Sequence, residues 1–260
     1  MDAHSGAGVM AKARLELARD GRIARVILGA PKANILDGAM VEELDAIFAS
    51  LDSRRDLRAI VVEADGPHFS FGASVEEHLP EQIDGALARL GALLRRVAAA
   101  PAPTIAAVRG QCLGGGFELV LACDLIVAEE DAQLGVPEIK LGVFPPAASA
   151  LLPVRIGVAG ASSLILTGLS WNGARAMQQG LVARTAPPGQ LASSVDAFLD
   201  EAFLPRSSTA VRFAARAVRR GVIRALDEDL PELDRLYLDE LMGEADAADG
   251  IRAFLERKPA

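Results

Sequence analysis

Apolar and polar residues alternate through ARLELARDGRIARVILGAP, on both sides of Asp20-Gly21. Period-two alternation around an Asp-Gly pair predicts a hairpin, with strands near Leu15–Ala18 and Ile23–Leu28. The period then lengthens. Met40, Leu44, Ile47, Phe48 and Leu51 recur at helical spacing, which predicts an amphipathic helix over 38–53. AIVVEA (59–64) reads as a short buried strand. A second helix is expected over 81–99, carrying Leu87, Leu90, Leu94 and Val97 and stopped by Pro101 and Pro103. TIAAVRG reads as a strand, Gly115 to Ala122 as a helix and DLIVAEE as another strand.

This alternation of strand, turn, helix and strand predicts a largely parallel, buried sheet. Beyond about residue 158 strand-like runs nearly vanish. Helical patterns cover 159–167, 172–179, 189–202, 206–221, 226–242 and 245–256. The expected organisation is α/β, with a tail over 1–12, a core over 13–200 and a helical segment over 201–260. Small and polar residues at the start, without a hydrophobic signal core, read as a disordered tail. No apolar run reaches membrane-spanning length.

Composition narrows the function classes. A chain of 260 residues buries a substantial core. Its hydrophobic share of 51% and charged share of 24% argue against disorder. The net charge of −8 argues against nucleic acid as the main partner, because phosphate binding needs a basic surface. Cys112 and Cys123 form no Cys-x-x-Cys and no disulfide framework, so buried thiols in a reducing cytoplasm are expected. His4, His68 and His78 offer no metal spacing, and no metal is expected. There is no Gly-x-Ser-x-Gly and hence no nucleophile elbow.

Two carboxylates stand out in apolar surroundings. Glu118 ends Gly-Gly-Gly-Phe-Glu, and Glu138 lies in LGVPEIKLGVF. Burying a carboxylate is costly without a partner or a purpose. Each has a bland reading alone: Glu118 as a helix-dipole partner, Glu138 as a capped turn residue. As a pair they suit a general base and a general acid. The run Gly114-Gly115-Gly116 opens a helix after a strand. It lacks the Gly-Lys-Ser/Thr ending of a phosphate loop and does not fit Gly-x-Gly-x-x-Gly. Either it packs helix on strand through small residues, or it turns backbone N–H groups toward a developing oxyanion. HFSFGAS (68–74) is a second small-residue loop upstream. His78, just beyond it, reads either as lining a pocket or as facing solvent.

Together these segments resemble the crotonase family of enoyl-CoA hydratases, isomerases and relatives. The resemblance implies a spiral core of ββα turns and a C-terminal helical segment that builds a homotrimer or a dimer of trimers. It implies oxyanion donors at the amides of Ala73 and Gly115, and catalytic carboxyls at Glu118 and Glu138. It also implies acyl-CoA contacts at Lys32, Ala33, Asn34, Phe71, Gly72, Ser74, Val75, Gly114, Phe144, Pro146, Phe254 and Lys258. CoA is then part of the substrate, and no separate cofactor, nucleic acid or membrane is expected. One departure is Phe144-Pro145-Pro146, where relatives carry glycine. Proline has no N–H, which implies a changed water arrangement. FSFGASVEEHLP, RGQCLGGGFE and PEIKLGVFPPAAS resemble the branch that hydrates cyclohexa-1,5-diene-1-carbonyl-CoA to 6-hydroxycyclohex-1-ene-1-carbonyl-CoA in anaerobic benzoyl-CoA degradation. A straight-chain 2-enoyl-CoA hydratase or isomerase is the first alternative. A non-catalytic assembly or RNA-binding protein on the same scaffold is the second.

Overall fold

A computed structural model of the chain describes residues 11–30 and 33–256. Strands β1 (Ala13–Ala18) and β2 (Ile23–Leu28) pair antiparallel, with Ala18 opposite Ile23. Arg19, Asp20 and Gly21 close this hairpin with φ of 54°, 57° and 78°. Glycine meets that demand without strain, and aspartate tolerates it better than most side chains. Helix α1 (Gly38–Leu51) starts at Asp37, whose carboxylate accepts the Met40 N–H at 3.0 Å. Strand β3 (Ala59–Ala64) and helix α2 (Ile83–Ala98) follow, then β4 (Thr104–Val108) and the short β5 (Gln111–Leu113).

Next come α3 (Gly114–Ala122), β6 (Leu125–Glu129), β7 (Gln133–Gly135), α4 (Pro146–Ile165), β8 (Ser170–Asn172), α5 (Gly173–Gln178) and β9 (Arg184–Ala186). The main sheet has six strands in the order β1-β2-β3-β4-β6-β9, parallel except at β1. Both its faces are covered, as a parallel sheet requires. Ile60 and Val62 join the large core beneath α1 to α4, while Ala59 and Val61 face the other way, onto α6 (Leu191–Ala202) through Leu191, Val195 and Leu199. A second sheet has the order β5-β7-β8, and an isolated bridge ties Ser70 to Cys112 of β5.

The structure differs from the pattern in three places. Helix α4 begins at Pro146, well before the expected 159, and is broken at Gly157, where φ is 71° and ψ 167°. Pro146 takes the first helical position, where a missing N–H costs nothing. This helix is long and apolar enough to pass a membrane-span test by composition, but Ala147, Ala148, Leu151 and Leu152 in its first half are buried in the core. Lys12, placed in the expected tail, pairs with Asp37, and its carbonyl accepts from the Gly29 amide at 2.6 Å. The first ten residues lie outside the described ones.

The C-terminal region is not a separate layer. After α7 (Ser208–Val218) come α8 (Arg220–Arg224), α9 (Leu230–Arg235) and α10 (Ala245–Glu256). Val222, Ala225, Leu226 and Leu230 belong to the same large core as the sheet. Tyr237, Ala247 and Ile251 pack with Ile83 and Val143 in a third cluster. Arg219, at the joint between α7 and α8, is buried and donates to Asp124 and to the carbonyls of Ala100 and Ala102.

Candidate active site

Helix α3 opens with three glycines, and two of them are forced by close neighbours. A Cβ on Gly116 would lie 2.5 Å from the Ser70 Cβ. Gly114 has φ of 49°, and a Cβ there would sit 2.7 Å from Glu138 Oε1. The packing and oxyanion readings of this run therefore hold together: the glycines let the loop and the second glutamate press against the start of the helix. The first-turn amides of a helix have no acceptor within it, so the Gly115 N–H is free to serve a ligand.

The opposing loop is pinned from three sides. The Ser70 amide donates to the Gln111 carbonyl at 3.0 Å, and the Leu36 amide to the Gly72 carbonyl at 2.9 Å. Ser70 Oγ donates to the Asn34 carbonyl at 2.7 Å and accepts the Gly72 amide at 3.0 Å. Gly72 adopts φ of 106°, a conformation closed to ordinary side chains. The result places the Ala73 amide nitrogen 3.2 Å from where a Gly115 Cβ would be. The Ala73 and Gly115 backbones, from separate elements, thus lie side by side on the same cavity.

Glu118 lies one turn along α3 and is buried. Its Oε1 accepts the Ala148 amide at 2.8 Å, a free N–H in the first turn of α4. Glu138 sits in a 3₁₀ turn over Pro137–Leu141, ended by Gly142 with φ of 80°. Its Oε2 is buried with no partner among the described residues. Burial raises both carboxyls well above their ordinary value of 4.5, Glu118 to about 7 and Glu138 to about 8. The Ala148 hydrogen bond pulls Glu118 back down, while the charge of Glu118 pushes Glu138 up further. Two such groups favour holding a proton between them near neutral pH.

Both glutamates line one cavity of about 330 Å³, together with Gly72, Ala73, Gly114 and Gly115. Its lining is mostly apolar with a few converging polar atoms, as small-molecule sites are built. Phe71, Ser74, Val75, Phe144, Pro146 and Phe254 also line it. Phe71 and Phe254 are largely exposed and mark the opening. Ala147 and Ala148, which follow Pro146, turn into the core. Helix α2 contributes Leu87 and Leu90, with Arg89 and Lys140 as nearby cations. His78 lines the cavity too. Its Nδ1 donates to the Ser74 carbonyl at 2.8 Å, and burial lowers its pKa, so the ring stays neutral.

Ala33 and Asn34 have a different place. The Ala33 carbonyl accepts the Phe71 amide at 2.9 Å, and Asn34 Nδ2 donates to the carbonyls of Asp65 and His68. They brace the 68–74 loop from behind rather than line the cavity. Lys32 and Lys258 lie outside the described residues.

Tyr237 is the residue the sequence did not mark. It is fully buried, lines the same cavity and stacks edge-on against Phe144 at 5.5 Å between centroids. Its hydroxyl has no partner among the described residues. Burial and the charges of Glu138 and Glu118 all raise its pKa, so the phenol stays protonated. The only sequence signal was a tyrosine within a helical pattern, the one tyrosine of the chain.

This α/β scaffold, with two amides and two buried carboxyls on one cavity, agrees with the relatives of the chain. Residues 18–260 match the enoyl-CoA hydratase/isomerase family, and the chain belongs to it. It is 43% identical over 244 residues to the cyclohexa-1,5-dienecarbonyl-CoA hydratase of Thauera aromatica, covering 94% of each chain. It is 36% identical to a probable enoyl-CoA hydratase of Rhizobium meliloti, covering 92% of this chain and 94% of that one. Among solved structures, an enoyl-CoA hydratase/isomerase from Xanthobacter autotrophicus Py2 superposes with a TM-score of 0.81 at 27% identity, over 96% of this chain and 99% of the other. The fold is of crotonase type.

Proposed function

We propose that the protein is a hydro-lyase that adds water to cyclohexa-1,5-diene-1-carbonyl-CoA, giving 6-hydroxycyclohex-1-ene-1-carbonyl-CoA. The observation that carries the hydratase reading is the pair of buried carboxyls, both raised, on one cavity with the Ala73 and Gly115 amides. The thioester oxygen rests between the amides. One carboxylate takes a proton from water as the water oxygen bonds to the ring carbon β to the thioester. The π electrons move to the thioester oxygen, where the two N–H groups hold the negative charge. The other carboxyl delivers its proton to the far carbon of the dienolate, and the carbonyl re-forms. Carboxyls and amides supply both proton transfers and the charge stabilisation, so the scheme calls for no cofactor beyond the CoA of the substrate.

The cyclic substrate is supported by the relative from Thauera aromatica and by the cavity wall. Pro145 and Pro146 fix the backbone beside the glutamates, and Phe144 and Tyr237 set two rings edge to face behind them. A rigid, flat wall suits a six-membered ring more than a flexible acyl chain. The straight-chain alternative draws on the Rhizobium meliloti relative. Steady-state kinetics of the purified protein decide between them. We expect kcat/KM for the cyclic dienoyl-CoA to exceed that for crotonyl-CoA by at least tenfold. Equal or greater kcat/KM for crotonyl-CoA overturns the cyclic assignment, and hydration of neither overturns the hydratase reading.

The assembly we infer is a homotrimer or a dimer of trimers. Phe213 and Val218 on α7, and Val158 and Leu166 on and just beyond α4, are exposed apolar residues on the single chain, a pattern that marks subunit contacts.

A further inference from the structure

Two polar atoms of residues that line the cavity are left unsatisfied by the described residues. Glu138 Oε2 and the Tyr237 hydroxyl are both buried without a partner among the described residues, and both residues line the same space. Buried polar atoms without partners are rare in folded proteins, and two in one cavity point to a polar occupant. The proposed substrate offers little to satisfy them. Its acyl part is hydrocarbon, and its carbonyl oxygen is taken by the Ala73 and Gly115 amides. The remaining oxygen in the reaction is that of the water, which becomes the product hydroxyl.

We propose that Tyr237, carried over the cavity by the C-terminal helices, holds the reacting oxygen in place through its hydroxyl. This rests on the hydratase reading above. The Tyr237 O–H donates to the lone pair of the water that points away from the substrate. One water proton faces a glutamate, and the second lone pair is left facing the carbon to be attacked. In the reverse direction the same hydrogen bond steadies the departing oxygen. No proton leaves the tyrosine at any point, so the tally of bonds and protons is that of the hydration itself. The ring is held independently, by its edge-on contact with Phe144 and by packing among Ile83, Val143 and Ile251. The hydroxyl is therefore separable from the packing, and Tyr237→Phe isolates it.

The test compares wild type and Tyr237→Phe with cyclohexa-1,5-diene-1-carbonyl-CoA and with crotonyl-CoA. It adds the affinity for a saturated acyl-CoA by calorimetry and the melting temperature. The expected result is a fall in kcat of about 10- to 100-fold on the substrate that wild type hydrates, with saturated acyl-CoA affinity within about threefold and melting unchanged or raised. The pH profile keeps its shape, because the phenol does not titrate in the reaction. Hydration by Tyr237→Phe within twofold of wild type overturns the inference and leaves the hydratase reading standing. Unchanged kcat with weakened acyl-CoA binding also overturns it, placing the hydroxyl on the thioester instead. If wild type hydrates neither substrate, the hydratase reading fails, and this inference fails with it.

Discussion

Gly114 stands so close to Glu138 that a methyl group on its Cα would lie 2.7 Å from the carboxylate Oε1. The second glutamate is thus positioned by what the first glycine of α3 lacks. Gly114 also needs its φ of 49°, which costs another residue about 1–2 kcal/mol. Gly114→Ala is expected to fold with a stability loss of about that size. The displaced carboxylate should lower kcat by about 10²-fold, the usual consequence of moving a reacting group by an ångström. Steady-state kinetics beside chemical denaturation checks both numbers. Wild-type turnover in this variant would show that Glu138 does not need its present position.

Replacing either carboxyl with its amide removes a proton carrier while keeping the shape. Glu118→Gln and Glu138→Gln should each lower hydration by roughly 10²–10⁴-fold, without loss of helical signal by circular dichroism. The two losses are not expected to multiply in the double variant, since each group needs the other to complete the reaction. Near-normal turnover in either single variant rules out the two-carboxyl scheme.

The C-terminal helices that bring Tyr237 to the cavity are also anchored at their base by polar contacts. Arg219 donates to both oxygens of Asp124, at 2.7 and 2.6 Å, and to two backbone carbonyls between α2 and β4. Arg219→Met leaves Asp124 and those carbonyls short of a buried donor. Breaking one side of a buried ion pair costs roughly 3–5 kcal/mol. A melting temperature lower by on the order of 10 °C is expected by calorimetry. Arg219→Lys should recover only part, because one ammonium cannot reach all four acceptor oxygens in fork geometry. A change under 2 °C in Arg219→Met would mean that the helices are held by apolar packing alone.

The candidate site was legible in the sequence where short segments carry it. The hairpin at Asp20-Gly21, the small-residue loop over 68–74 and the two glutamates sit in local patterns with a local cause. What escaped has causes distant along the chain. Tyr237 shares a helical apolar period with its neighbours, and that period looks the same whether a helix covers core or a cavity. Asn34 borders a loop expected to touch ligand, yet its amide is spent on the carbonyls of Asp65 and His68. The first half of α4 was hidden because two consecutive prolines ordinarily signal a turn or loop. Pro146 lines the cavity and is also the first residue of the helix that turns the Ala148 amide toward Glu118. Strands β5, β7, β8 and β9 have three residues each, too few to show a period.

Exposed apolar residues make the assembly testable. Val218 is 81% exposed and Phe213 55%, on a helix whose only buried residue is Ala215. Light scattering during gel filtration should give three or six times the 27.2 kDa of the chain. A double change, Phe213→Asp with Val218→Asp, should shift the distribution toward monomer by burying charge at the contact. A wild-type monomer at micromolar concentration contradicts the proposed trimer.

The raised carboxyls also set how stability varies with pH. Unfolded, Glu138 titrates near its ordinary 4.5; folded, burial and the charge of Glu118 bring it to about 8. Between those values the folded protein binds more protons than the unfolded one. Stability contributed by a protonated, buried Glu138 is therefore fully present below about pH 4.5 and lost as the pH rises toward 8. Glu118 acts with the same sign over the narrower span up to about 7. Glu138→Gln removes this titration. At pH 5 the variant and wild type should be nearly equal in urea denaturation. By pH 8.5 the variant should be the more stable, by on the order of a few kcal/mol. The proposed acid–base pair then costs stability at pH values toward 8, a common property of functional sites. Parallel pH curves for the two proteins would mean that Glu138 is solvated in solution, and the raised pKa on which the acid–base scheme depends would be lost.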